Sequence, residues 1–182
     1  MRFFLSLGCA AALVAVAACN RGAEEAPDPG NQEAAAANAA ANAANPAEIA
    51  ALMHDRHENY EAMGKAMKGI GDQLKSNAPS VEAIQRHAAL IAGHAPQIPG
   101  WFPHGSGPET GRRTRAKAEI WTDADTFRQR AEAFAQEAAR FNRTAQVGDI
   151  GAIRAGQPAL GKACKNCHDR FRGPEDEHSH ER

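Results

Sequence analysis

Residues 120–141 read IWTDADTFRQRAEAFAQEAARF, and this stretch decides the fold. Ile120, Ala124, Phe127, Ala131, Phe134, Ala138 and Phe141 recur at steps of four, three, four, three, four and three. Steps that average near 3.5 draw one apolar stripe along one side of a helix, and Arg, Gln and Glu fill the other sides. Such a stripe buries itself by knobs-into-holes packing at roughly 20° to its neighbours, the geometry of a helix bundle. The pattern predicts a helix from about Lys117 to Thr144.

The same period appears on either side of it. Asn45-Pro46-Ala47-Glu48 has the residues of a helix start, with Asn as the cap, Pro at the first helical position and Glu in the first turn. From there Ile49, Met53, Arg56, Tyr60, Met63, Met67, Ile70 and Leu74 alternate steps of four and three. Ser80 opens a second helix with Val81, Ile84, Ala88 and Ile91 on one stripe. A last helix starts near Asp149 with Ile150, Ile153, Leu160, Cys164 and Phe171 facing inward, and Pro158 is expected to kink or restart it. No segment reads as a strand. The connections after the first and third helices are short and make those neighbours antiparallel. The Pro- and Gly-containing link from Ala95 to Arg115 is long enough to cross the bundle. The expected fold is all-α, an antiparallel up-down-up-down four-helix bundle.

The last helix carries Cys164-Lys165-Asn166-Cys167-His168. Two thiols three positions apart, with a histidine directly after, form the attachment signature of a c-type haem. Each thiol adds to one porphyrin vinyl group, and the His168 imidazole becomes the proximal iron ligand. A thioredoxin-type dithiol belongs beside a βαβ pattern, which this chain lacks. A zinc site needs a second ligand pair, for which the tail offers His178 and His180. One covalent haem c is therefore the expected cofactor.

The start of the chain supplies the compartment that this chemistry needs. Arg2 is followed by an apolar run from Phe3 to Ala18, too short to span a bilayer and suited to a secretion signal. Val16-Ala17-Ala18-Cys19 resembles a bacterial lipobox, in which Cys19 becomes the lipidated mature N-terminus. The alternative is an ordinary signal cleaved near the same alanines. Residues 20–45 hold no Leu, Ile, Val or aromatic residue and read as an Ala/Asn-rich flexible tether. The bundle then occupies residues 46–173, and 174–182 form a charged tail. Cys164 and Cys167 are the cysteines left to the folded domain, so no disulfide framework is expected. The expected location is the periplasm, with a lipid anchor in the membrane. A formal charge of −1 gives no argument for nucleic acid.

Two positions on the first helix interrupt its apolar stripe. A buried guanidinium at Arg56 is costly without a partner, and a haem propionate would serve as one. Solvent or a carboxylate would serve as well. Tyr60, one turn on, can reach a haem inside the bundle and line its distal pocket, or act as a core aromatic.

The haem motif, its place on the last helix and the bundle together resemble the class II cytochromes c, the cytochrome c′ and cytochrome c-556 group. Glu119-Ile120-Trp121-Thr122-Asp123 with Phe127 and Phe134 resembles the family's third helix, and Pro99-Gly100-Trp101-Phe102-Pro103 the loop before it. Gly161 to Arg172 resembles the family's ending. The resemblance covers roughly residues 46–173. In low-spin relatives a methionine on the first helix is the sixth ligand, four residues after an Arg- or Gln-like position. In high-spin relatives an apolar or aromatic residue stands there and the iron stays five-coordinate. Arg56 matches the first position and Tyr60 the second, which implies an open but crowded distal side. Met63, three residues on, is the alternative distal ligand, or else a core methionine. His54, His57, His87, His94 and His104 carry no strong claim as ligands.

Two functions follow as expectations. An open iron shielded by Tyr60 would bind NO or CO. A six-coordinate iron held by Met63 would make an electron carrier, tethered near periplasmic or membrane redox proteins. No acid/base pair lies on the distal stripe, so an enzyme is not expected. The resemblance also implies a homodimer. His178 and His180 offer a weak metal-collecting tail.

Overall fold

The computed structural model describes residues 45–174. The signal, Cys19, the tether up to residue 44 and the tail from residue 175, with His178 and His180, lie outside the described residues. The helices are α1 (Pro46–Lys75), α2 (Val81–His94), the single turn α3 (Glu119–Thr122), α4 (Ala124–Val147) and α5 (Ile150–Phe171). The four long ones form the expected antiparallel bundle.

Local chemistry sets most of the boundaries. The Asn45 side chain accepts a hydrogen bond from the Ala47 amide at 3.0 Å, and Ser80 accepts one from Ala83 at 3.2 Å. Asp149 accepts from the amides of Gly151 and Ala152 at 2.8 and 3.2 Å. These caps satisfy donors that a helix N-terminus leaves free. Gly148 ends α4 at φ 83°, a left-handed conformation that favours glycine, and the chain enters α5 directly afterwards.

The interior is the stripe read from the sequence. Phe127, Ala131, Phe134, Ala138 and Phe141 of α4 are buried, with Ile70, Ile84, Ile153 and Leu160 from the other helices. Each fully buried Phe, Ile or Leu contributes about 2 kcal/mol by leaving water. The helices α1 and α2, α2 and α4, and α4 and α5 pack closely in pairs. Between α1 and α5 lies a cavity.

Three local features differ from the sequence expectation or add to it. The third helix does not run unbroken from Lys117: it breaks at Asp123 (φ −127°, ψ 51°). Asp is suited to a helix start, and a hydrogen bond from the Thr126 side chain holds the Asp123 carboxyl below its ordinary range. Pro158 does not restart the last helix, which spans Ile150–Phe171 without interruption. The lost amide bond is outweighed by packing on α4 along its length. The crossover, of which the sequence predicts only the length, has local structure of its own. Ala95–Trp101 is a 3₁₀ segment that buries Ala95 and Ile98 against α4 and α2, and Ala116 makes an antiparallel bridge to Arg172.

Candidate haem site

Cys164, Cys167 and His168 stand at i, i+3 and i+4 of α5, so one face of that helix presents all three. They open on a cavity of about 320 Å³. Its other walls are Tyr60, Met63, Gly64, Met67 and Lys68 of α1, Ile91 of α2, Ile98 of the crossover, and Ala131 and Phe134 of α4. The spacing of the α1 stripe places Tyr60, Met63 and Met67 on this wall. Gly64 lies among them, and a Cβ there would meet nothing within 4 Å.

Burial pushes the Cys164 thiol up to about 11 and raises that of Cys167 as well. Both are protonated thiols at neutral pH. His168 is exposed as a residue, but partial desolvation of its ring, helped by the nearby Arg172 and Arg115, lowers its pKa, so its imidazole is neutral and offers a lone pair to a metal. Burial raises the Tyr60 phenol above its ordinary value, and the neighbouring Arg56 opposes this only in part. The phenol stays neutral, a poor iron ligand.

The residues fit a haem. Two thiols at the attachment spacing and one neutral imidazole share one wall, and apolar side chains with an open glycine face them. Among the described residues no group of three His, Cys, Asp or Glu gathers into another metal site, so the CxxC pair has no zinc partners there. Cys164 and Cys167 would hold the haem covalently and His168 would ligate its iron. His54, His57, His87, His94 and His104 do not line the cavity.

Arg56 is 5% exposed and lies outside the cavity lining. The crossover supplies its protein partners. Nη1 donates to Trp101 O at 3.3 Å and Ser106 Oγ at 3.2 Å. Nη2 donates to Ser106 O at 3.0 Å and Thr114 Oγ1 at 3.4 Å. The guanidinium also sits 4.5 Å from the centre of the Phe102 ring. Burial lowers its pKa, and Tyr60 and Glu109 oppose the shift. Loop oxygens thus give the buried guanidinium hydrogen-bond partners within the protein. The fully buried Ser106 is the residue that sequence reasoning missed, and a polar residue between two glycines gives no signal of it.

The clamp fixes the roof of the site. Tyr60 meets Trp101 edge-on at 5.4 Å and Phe102 at 6.3 Å. Phe102 continues to Phe127 at 5.1 Å, and Phe127 to Phe171 at 5.3 Å. An aromatic spine thus links α1, the crossover, α4 and α5.

Residues 51–172 match the family described as Cytochrome C′. The chain belongs to the cytochrome c′ family. The cytochrome c′ of Pararhodospirillum photometricum is 32% identical over 122 residues, covering 67% of this chain and 96% of that protein. The cytochrome c′ of Rhodospirillum rubrum is 33% identical over 129 residues, covering 71% and 86%. Among solved structures, a nitric oxide complex of a substituted cytochrome c prime from Alcaligenes xylosoxidans superposes with a TM-score of 0.61 at 24% identity, over 72% of this chain and 98% of that one. As a cytochrome c′, the chain carries one covalent c-type haem. That membership fits α5, which holds the attachment residues at the end of the matched span.

Proposed function

We propose that this cytochrome c′ binds small neutral diatomics, NO and CO, at a five-coordinate haem iron beneath Tyr60, and that it works in the periplasm. One observation carries the reading. The α5 wall of the cavity holds both thiols and the imidazole, and the α1 wall offers a neutral phenol and apolar side chains. A haem supplies an iron whose free face can take a sixth ligand. His168 would hold that iron from the α5 wall. Tyr60 crowds the other side, backed by Trp101 and Phe102, and rejects larger or charged ligands by size and polarity. Met63 is 7% exposed and stands on the α1 wall of the same cavity, three residues beyond Tyr60, where a methionine fills space between helices. The lipobox at Cys19 would hold the domain at a membrane surface. Nitric oxide bound to the Alcaligenes xylosoxidans relative supports the same ligand class here.

Stopped-flow CO binding to the ferrous protein tests this. Wild type is expected to bind CO, and Tyr60→Ala to bind it faster. A wild-type spectrum that ignores CO would overturn the reading.

A further inference from the structure

The chain has one tyrosine, two tryptophans and seven phenylalanines. A phenol or an indole loses an electron far more readily than a phenylalanine ring does. Tyr60, Trp101 and Trp121 are thus all the readily oxidised rings in the sequence, and the fold brings the three together. Tyr60 lines the haem cavity. Trp101 stands edge-on to it with ring centres 5.4 Å apart, and Phe102 bridges from Tyr60 at 6.3 Å to Trp121 at 5.9 Å. The spine that runs inward from Phe102 is phenylalanine alone, Phe127 and Phe171, both buried. The direct contact that leads away from the cavity ends on Trp101, which is half-buried and so reaches water. Packing asks only for aromatic area, which phenylalanine supplies. The oxidisable rings stand instead where the cluster meets the cavity and the solvent.

The same cavity holds groups that oxidation would damage. Met63 and Met67 line it, and a thioether that takes up oxygen becomes a polar sulfoxide, which disrupts apolar packing. Hydrogen peroxide is neutral and has two heavy atoms, as NO and CO have. It therefore passes the limits of size and polarity that Tyr60 sets on a ligand.

We propose that Tyr60 and Trp101 form a route that carries an oxidising equivalent from hydrogen peroxide in the haem cavity to the surface, where a small one-electron donor of the ascorbate kind quenches it, and that this route spares Met63 and Met67. The proposal rests on the open iron of the reading above and adds a reaction to it. Peroxide takes two electrons. The iron gives one, ferrous becoming ferric. The Tyr60 phenol gives the other together with its proton. With a second proton from water the O–O bond breaks, two waters form, and Tyr60 is left as a neutral radical. Burial keeps the phenol protonated beforehand, so its electron and proton leave together. Trp101 then passes an electron across the edge contact, Tyr60 regains a proton from water, and the indole sheds its own proton to water. The donor returns one electron and one proton to Trp101.

The test mixes the ferrous holoprotein with a stoichiometric amount of hydrogen peroxide and no donor, freezes it rapidly for electron paramagnetic resonance, and maps oxidised residues by peptide mass spectrometry. Wild type is expected to show a protein radical whose hyperfine pattern changes when the chain is grown on ring-deuterated tryptophan, and to collect added oxygen at Trp101. In Trp101→Phe the radical is expected to stay on Tyr60 and to respond to ring-deuterated tyrosine instead. Tyr60→Phe is expected to lose the radical and to gain sulfoxide at Met63 and Met67. Trp121→Phe is expected to follow the wild type, and added ascorbate to quench the wild-type radical. Oxidation of Trp101 that survives Tyr60→Phe, or sulfoxide no higher in that variant than in the wild type, would overturn the proposal. The CO spectrum of the wild type, read alongside, separates the two readings. A protein that binds CO and forms no radical overturns this route alone, whereas one that ignores CO overturns the open iron and the route with it.

Discussion

Arg56 and Tyr60 sit one helical turn apart and do different work. Arg56 binds the crossover through four hydrogen bonds, and charge-assisted bonds are worth about 1.5–3 kcal/mol each when a partner is removed. Arg56→Met is therefore expected to cost about 3 kcal/mol in urea denaturation of the holoprotein, with Arg56→Lys recovering only part. A loss no larger than that of Arg140→Met would mean that the clamp is idle. At Tyr60, removing the ring removes crowding. Tyr60→Ala should raise CO association by about tenfold, equivalent to roughly 1.4 kcal/mol, while Tyr60→Phe stays near wild type because the phenol is neutral. Equal rates in all three proteins would remove Tyr60 from the ligand path. The raised thiol pKa values make a further prediction. In chain made without haem, Cys164 and Cys167 should be alkylated by iodoacetamide more slowly than free cysteine at neutral pH, and Cys164 should speed up only towards about pH 11. Fast modification at neutral pH, read by mass spectrometry, would contradict the burial of the two thiols.

At the scale of the element, the α4 stripe and the caps were legible because both follow local rules. Seven apolar positions at steps of four and three, six of them on α4 and Ile120 on α3, cannot be satisfied by a strand, and Asn45, Ser80 and Asp149 each precede a helix and accept from its free amides. Asp149→Ala should cost about 1 kcal/mol, since one carboxylate oxygen serves two amides. An unchanged urea midpoint would deny that cap any role. The break at Asp123 was not legible, because the apolar period runs through it and the Asp123–Arg170 pair depends on where α5 lies. Nor was the passage of Pro158, which tertiary packing carries. The partners of Arg56 were hidden for the same reason. Trp101, Ser106 and Thr114 lie 45 to 58 positions away, and no helical period couples them to it.

For the whole molecule, the bundle is a frame that leaves a space between α1 and α5 and puts both thiols on its edge. Among the described residues no helix is long and apolar enough to cross a membrane. Cys19→Ala should move the protein from the membrane fraction to the soluble periplasmic fraction. A soluble wild type would refute the lipobox. The central claim is one covalent haem, held by His168, with its distal face open beneath Tyr60. The visible spectrum of the purified ferrous protein, with and without CO, tests it most directly. The account predicts a broad, unsplit band in the α/β region and a Soret peak that moves when CO is added. Sharp, split α and β bands that ignore CO would contradict it, because they would mean a sixth protein ligand already on the iron.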